Sequence, residues 1–270
     1  MKAVAALGAA TLVLTLSTGC APAARPSPSP IFIAVDQGYL APDALVRLAG
    51  AIPSTPVTGS AQDLTDHAAS AGFVALEDSD RWLLATAHAE LRPPLALQHF
   101  DCALGVRLGS AETPALDRMA ARAFHDARAA AALAGARGQR ARPVAEDPAR
   151  RACQTLTPEA RRSSAYPSTA AVVGTVYAEA LARISPQQAG PARRIGHEIG
   201  VSRLVCAMDY PSDVAAGEAL GRAVMAEIAA TPAFQAEVVA ARAEIEAARA
   251  TGRTNPGCAA ERAALAVRLP

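Results

Sequence analysis

The chain has 270 residues, 51% of them hydrophobic and 19% charged, with a formal net charge of +1. That is enough apolar material for one sizeable core, and the near-neutral balance excludes an electrostatic case for nucleic-acid binding. Lys2 is the only lysine, so every other long cationic side chain is an arginine.

In chain order, residues 1–19 read as a signal peptide. Lys2 precedes an apolar run over 3–16 that is too short to span a bilayer. Gly19 and Cys20 are similar to the processing site of bacterial lipoproteins, with Ser17 where leucine is usual. Cys20 is therefore the expected lipidation site, with ordinary cleavage near Ala21, Pro22 and Ala23 as the other outcome. Residues 20–37 form a tether whose proline-rich part, APAARPSPSP, acts as a semi-rigid spacer. The expected product is a periplasmic protein held to a membrane by its lipid anchor, with a domain over 38–252 and a C-terminal tail over 253–270.

Helical signals dominate the domain. Helices are expected near 43–50, 61–76 and 79–91. Thr113 and Pro114 then supply a cap and a first-turn proline, and Leu116, Met119, Ala120, Ala123 and Phe124 recur at helical spacing up to Gly135. Val172, Val173, Val176, Tyr177, Ala180, Leu181 and Ile184 mark one amphipathic helix, and Val214, Leu220, Val224 and Ile228 mark another. A last helix starts at Thr231 and Pro232 and ends before Gly252. Cys102, Cys153, Cys206 and Cys258 form an even set in an exported chain, which suggests two disulfides. Of the three connectivities, Cys102–Cys153 with Cys206–Cys258 is preferred.

Several short segments follow one another in a familiar order: FDCALGV over 100–106, ETPAL over 112–116, RARP over 140–143, AYPS over 165–168 and IGVSR over 199–203. The stretch over 200–217 reads GVSRLVCAMDYPSDVAAG. Together they resemble the PAP2 superfamily, and most of all the bacterial class A non-specific acid phosphatases, whose third motif is S-R-x5-H-x3-D. The resemblance implies an all-α helical bundle of the acid phosphatase and vanadium haloperoxidase type. It implies hydrolysis of phosphate monoesters through a phospho-histidine, without a metal or other cofactor. A homo-oligomer stays open.

By that resemblance Arg142, Ser168 and Arg203 are the phosphate ligands, since guanidinium forks and donors at a helix start suit the oxygens of a phosphoryl group. Asp213 is the carboxylate that would orient the nucleophile, and Asp209 stands where the nucleophilic histidine is expected. Ala170 occupies the position of the general acid, Thr169 replaces a glycine, and Gly135 stands for a lysine that Arg137 or Arg140 would have to replace. With proline after Tyr166 in the first helical turn, the N–H groups of 168–170 are expected to be free for an anion. Asp209 is expected to pair with Arg142 or Arg203, in the place of the phosphate. His67, His88, His99, His125 and His197 fall on no motif position, and His197 reads as a group on a helix surface or one that satisfies a core contact. The favoured reading is an exported, catalytically impaired acid phosphatase-like protein with a remnant phosphate site. The alternatives are an active phosphatase with Asp209 as nucleophile, and an interaction lipoprotein that has kept only the fold.

Overall fold

A computed structural model describes residues 35–270. The signal segment, the lipidation expected at Cys20 and most of the tether lie outside the described residues. The described chain contains twelve α-helices and no strand, which is the class expected. They are α1 (Pro42–Ala51), α2 (Ala61–Gly72), α3 (Asp80–Ala87), α4 (Asp101–Leu104), α5 (Pro114–Gly135), α6 (Pro143–Glu146), α7 (Pro158–Arg162), α8 (Thr169–Ile184), α9 (Ala189–Val205), α10 (Pro211–Ala230), α11 (Pro232–Ala250) and α12 (Cys258–Leu265).

Local chemistry explains many of the boundaries. Ser60, Ser79, Ser168 and Thr231 each accept a backbone N–H of the first turn that they precede. A 3-10 turn, Phe73–Leu76, extends α2. Helix α3 stops at Ala87, short of the expected end near 91. Gly252, at φ +68°, takes the left-handed position just past α11.

The core is built around α8, which packs against α5, α9 and α10. The amphipathic reading of α8 is corrected: every residue from Ala170 to Ala178 is buried, because alanines and Gly174 fill the side expected to face water. Small residues there let other helices close in. A Cβ on Gly174 would lie 2.8 Å from the Gly196 carbonyl oxygen, and one on Gly196 would lie 2.5 Å from the Ala178 Cβ. Gly196→Ala is therefore expected to cost about 1–3 kcal/mol through overpacking, read as a lower denaturation midpoint with an unchanged slope.

The four cysteines are all paired, but not in the preferred connectivity. Cys102 bonds Cys258 and Cys153 bonds Cys206, with Cα–Cα distances of 5.4 and 4.9 Å. Pairing neighbours in sequence failed because of helix placement. Helix α12 returns beside α3, bringing Cys258 to Cys102 at the start of α4, while the loop before α7 crosses the end of α9 at Cys206. Residues 253–270 thus contain a helix tied to the domain by a disulfide. Among the described residues, no single helix is long and apolar enough to cross a membrane.

Candidate functional site

Four chain segments meet at the N-terminal end of α8. Ser168 caps that helix, Arg142 caps α6, Arg203 lies in the last turn of α9, and Asp209 sits in the loop from α9 to α10. The loop is fastened from several sides. Met208 N–H donates to the Arg203 carbonyl at 2.9 Å, Val144 N–H donates to the Ala207 carbonyl at 2.9 Å, and Cys206 is disulfide-bonded. Ala207 is held at φ +53°, a left-handed conformation that costs a non-glycine residue roughly 1–2 kcal/mol. That turn directs the next residues back toward α8.

The result is a convergence on one carboxylate. Arg142 Nη1 donates to Asp209 Oδ1 at 2.6 Å, Ser168 Oγ donates to Oδ2 at 2.6 Å, and Arg203 Nε reaches Oδ2 at 3.3 Å. Arg142 also donates to the carbonyls of Met208 at 2.7 Å and Ser164 at 2.8 Å, which fixes its fork. Asp209 is 2% exposed and Ser168 is fully buried. Burial lowers the pKa of Arg203, opposed by the Asp209 charge.

Asp213 lies one turn away and is occupied differently. Its Oδ1 accepts from Arg140 Nη1 at 2.7 Å, its Oδ2 accepts the Tyr210 N–H at 2.7 Å, and its carbonyl accepts the Ser168 N–H at 3.0 Å. That last bond corrects the expectation of free N–H groups at 168–170. Helix α8 begins after Ser168 rather than at Pro167, so the Ser168 amide is spent on α10. Burial and the neighbouring Asp209 charge push the Asp213 carboxyl up to about 7. Arg140 is shared among three carboxylates, with Nη2 at 2.9 Å from both Asp63 and Asp66. Burial works against its charge, but Asp213, Asp66 and Asp63 outweigh it and raise its pKa.

The remaining motif positions are close by. Ala170 is buried at the start of α8, and a Cβ on Gly135 would lie 3.2 Å from the Tyr166 carbonyl oxygen. Thr169 is exposed and lines a cavity of about 410 Å³ with Thr86, Phe124, Arg128 and Gln154. The five histidines bond elsewhere: His67 to Glu146 and Tyr210, His88 to Ser202, His99 to the Glu90 carbonyl, His125 to Asp126, and His197 to Glu218 on the surface. Among the described residues, no group of three or more His, Cys, Asp or Glu side chains is placed to hold a metal ion.

No family model matches the chain, but individual proteins do. It is 28% identical over 199 residues to an acid phosphatase of Zymomonas mobilis, covering 74% of this chain and 75% of that one. It is 25% identical over 224 residues to a non-specific acid phosphatase of Providencia stuartii, covering 82% and 90% of the two chains. A shorter stretch of 85 residues, about a third of each chain, is 35% identical to a non-specific acid phosphatase of Salmonella typhimurium. The chain is homologous to bacterial acid phosphatases.

Reading the motifs of this acid phosphatase homologue missed the second layer of its site. The motifs give Arg140 no inward direction, leave His67 on no motif position, and do not include Asp63, Asp66, Glu146 or Tyr210. Tyr210 Oη donates to Glu146 at 2.6 Å, and its ring lies under the Arg140 guanidinium at 4.3 Å. One signal was present. In an extended segment residues two apart share a side, and Arg140 and Arg142 both turn inward while Gln139 and Ala141 are exposed.

Proposed function

We propose that this acid phosphatase homologue is catalytically impaired, and that its phosphate-binding residues are held by its own Asp209 carboxylate. The observation that carries this reading is the convergence of Arg142, Ser168 and Arg203 on both oxygens of one buried side chain. Unit charges about 4 Å apart attract by ~4 kcal/mol at an effective dielectric near 20, before desolvation. A phosphate must displace that attraction to enter. The same bonds engage both carboxylate oxygens with charged or hydroxyl donors, which weakens them as nucleophiles toward phosphorus. At the positions where the resemblance expects nucleophile, general acid and lysine, the chain has Asp209, Ala170 and Gly135. No histidine takes their place among the bonds around Asp209.

Vanadate, a phosphate mimic, tests the reading. The mature parent is expected to show no thermal stabilisation by vanadate and no turnover of an aryl phosphate. Asp209→Ala leaves two arginines facing an empty anion position, so vanadate at a hundredfold its Kd is expected to stabilise that variant by about 2.7 kcal/mol. Parental turnover that Arg203→Ala abolishes would favour the active-enzyme reading instead. Indifference of both proteins to vanadate would leave a fold without a phosphate site.

The two disulfides support folding in an oxidising compartment after export. With the leader they support a periplasmic protein anchored through Cys20. Cys20→Ser is expected to shift the protein from the detergent phase to the aqueous phase, and an unmodified mature N-terminus at Ala24 would exclude the anchor.

A further inference from the structure

His67, on α2, lies outside the convergence on Asp209, and both of its ring nitrogens face acceptors. Nδ1 is 2.7 Å from the Asp63 carbonyl oxygen, and Nε2 is 2.8 Å from Glu146 Oε2 at the end of α6. A carbonyl oxygen can only accept, so Nδ1 carries a proton. A second proton must lie between Nε2 and Oε2, since without it a ring lone pair would meet a carboxylate at hydrogen-bond distance. A carboxyl is ordinarily the stronger acid, which leaves that proton on the ring. The arrangement is that of an imidazolium donating from both nitrogens.

Tyr210 gives the cluster a second arrangement. Its Oη lies 2.6 Å from Glu146 Oε2 and 3.1 Å from His67 Nε2, and its ring is 4.7 Å from the imidazole. Burial, then the bond to Glu146 and the Glu146 charge, raise the pKa of the phenol, so its proton stays in place. While the imidazole is charged, Nε2 offers no lone pair and the hydroxyl donates to Glu146. Once the imidazole is neutral, Nε2 becomes an acceptor that the hydroxyl already reaches, and Glu146 loses the charge that held it. The side chains of His67 and Glu146 are 41% and 40% exposed, so water can exchange the proton and take up the freed carboxylate. Both border a cavity of about 380 Å³ with Asp63 and Arg140.

The charged groups around the cluster come from several elements. Asp63 faces Nδ1 from α2, with Oδ1 at 3.5 Å, and Glu146 faces Nε2 from α6. Arg140, from the segment before α6, lies over the Tyr210 ring at 4.3 Å and pairs with Asp63 and Asp66 of α2 and with Asp213 of α10. Burial opposes the imidazolium, but the Asp63 carbonyl, Glu146 and the Asp63 carboxylate outweigh it and raise the His67 pKa. A ring that is a stronger base folded than unfolded makes its full contribution below about 6.5, the ordinary histidine value, and loses it as the pH rises through the folded value.

We infer that His67 is a proton-operated clip: charged, it fastens the end of α6 to α2, and on losing its proton it takes the Tyr210 hydroxyl and releases Glu146. Arg142 caps the start of the same short helix, so the clip bears on the segment that carries Arg142. The inference does not depend on what the Asp209 site binds.

An NMR titration of the full mature chain from about pH 5 to about pH 9 tests it. The His67 ring nitrogens are expected to titrate with a midpoint above about 6.5, and the Glu146 carboxylate carbon and the hydroxyl-bearing ring carbon of Tyr210 to change with the same midpoint. Glu146→Gln is expected to lower the His67 midpoint, by roughly two- to fivefold in proton affinity, the usual worth of a part-exposed ion pair. His67→Gln is expected to abolish the shared transition at Glu146 and Tyr210. A His67 midpoint at or below the ordinary value, one unchanged in Glu146→Gln, Glu146 and Tyr210 signals that ignore it, or a shared transition that persists in His67→Gln would each overturn the inference.

Discussion

Arg140→Met is expected to destabilise the protein by about 3–5 kcal/mol, the usual cost of stranding buried charge by removing its partner. This arginine is 8% exposed and is the cation bonded to Asp63, Asp66 and Asp213, all of them buried. Methionine matches its apolar stem, so the loss is one of charge rather than of packing volume. The effect should extend to the site, because Asp213 holds the first turn of α10 through the Tyr210 N–H and holds α8 through the Ser168 N–H. Chemical denaturation of parent and variant at neutral pH gives the difference. Adding Asp66→Asn and Asp213→Asn to Arg140→Met should recover part of it, since two of the stranded charges are then removed. A loss below about 1 kcal/mol would mean that water already screens the cluster.

The helices were largely legible because their signals are local. Prolines at first turns, the capping hydroxyl at Thr231 and periodic apolar residues act over one or two turns, and the structure places α5, α10 and α11 where those signals stand, although Thr113, expected to cap α5, makes no side-chain cap bond. What failed depended on distance. The disulfide pairing is decided by α12 returning to α3 across a sequence separation of 156, which no local pattern encodes. The burial of α8 on every side depends on neighbours that approach over glycines, so its alanine-rich face read as exposed when it was a packing surface. In the candidate site the ordered motifs identified Arg142, Ser168, Arg203, Asp209 and Asp213, which do lie together. Arg140 and its carboxylates escaped because Asp63 and Asp66 come from α2, far back in the chain, where isolated acidic residues resemble an ordinary solvated helix face.

Restoring histidines is expected to restore phosphatase activity to at least about tenfold above the parent, provided that both are restored together, because attack and leaving-group protonation act as a unit and such effects are strongly non-additive. The variant combines Asp209→His, Ala170→His and Thr169→Gly. Asp209→His removes the carboxylate that occupies Arg142, Ser168 and Arg203 at 2.6, 2.6 and 3.3 Å, and so frees three donors for phosphate while supplying a nucleophile. Thr169→Gly takes a branched side chain from the first residue of α8, beside the 410 Å³ cavity that a substrate could enter. Ala170→His is the demanding change, since Ala170 is 2% exposed and a ring there must turn toward the helix end to find space. Adding Gly135→Lys should raise activity further, at the cost of a small shift where the new Cβ would meet the Tyr166 carbonyl oxygen at 3.2 Å. Hydrolysis of an aryl phosphate by the folded variant, with Arg203→Ala as its control, measures the outcome. If the folded variant binds vanadate yet stays inactive, the obstacle is Asp213, whose carboxylate Arg140 and the Tyr210 N–H hold in an orientation that does not serve a histidine at 209. If it neither binds vanadate nor turns over substrate, the pocket itself has been lost, and Asp209 is a structural ion-pair partner rather than an occupant of a phosphate site.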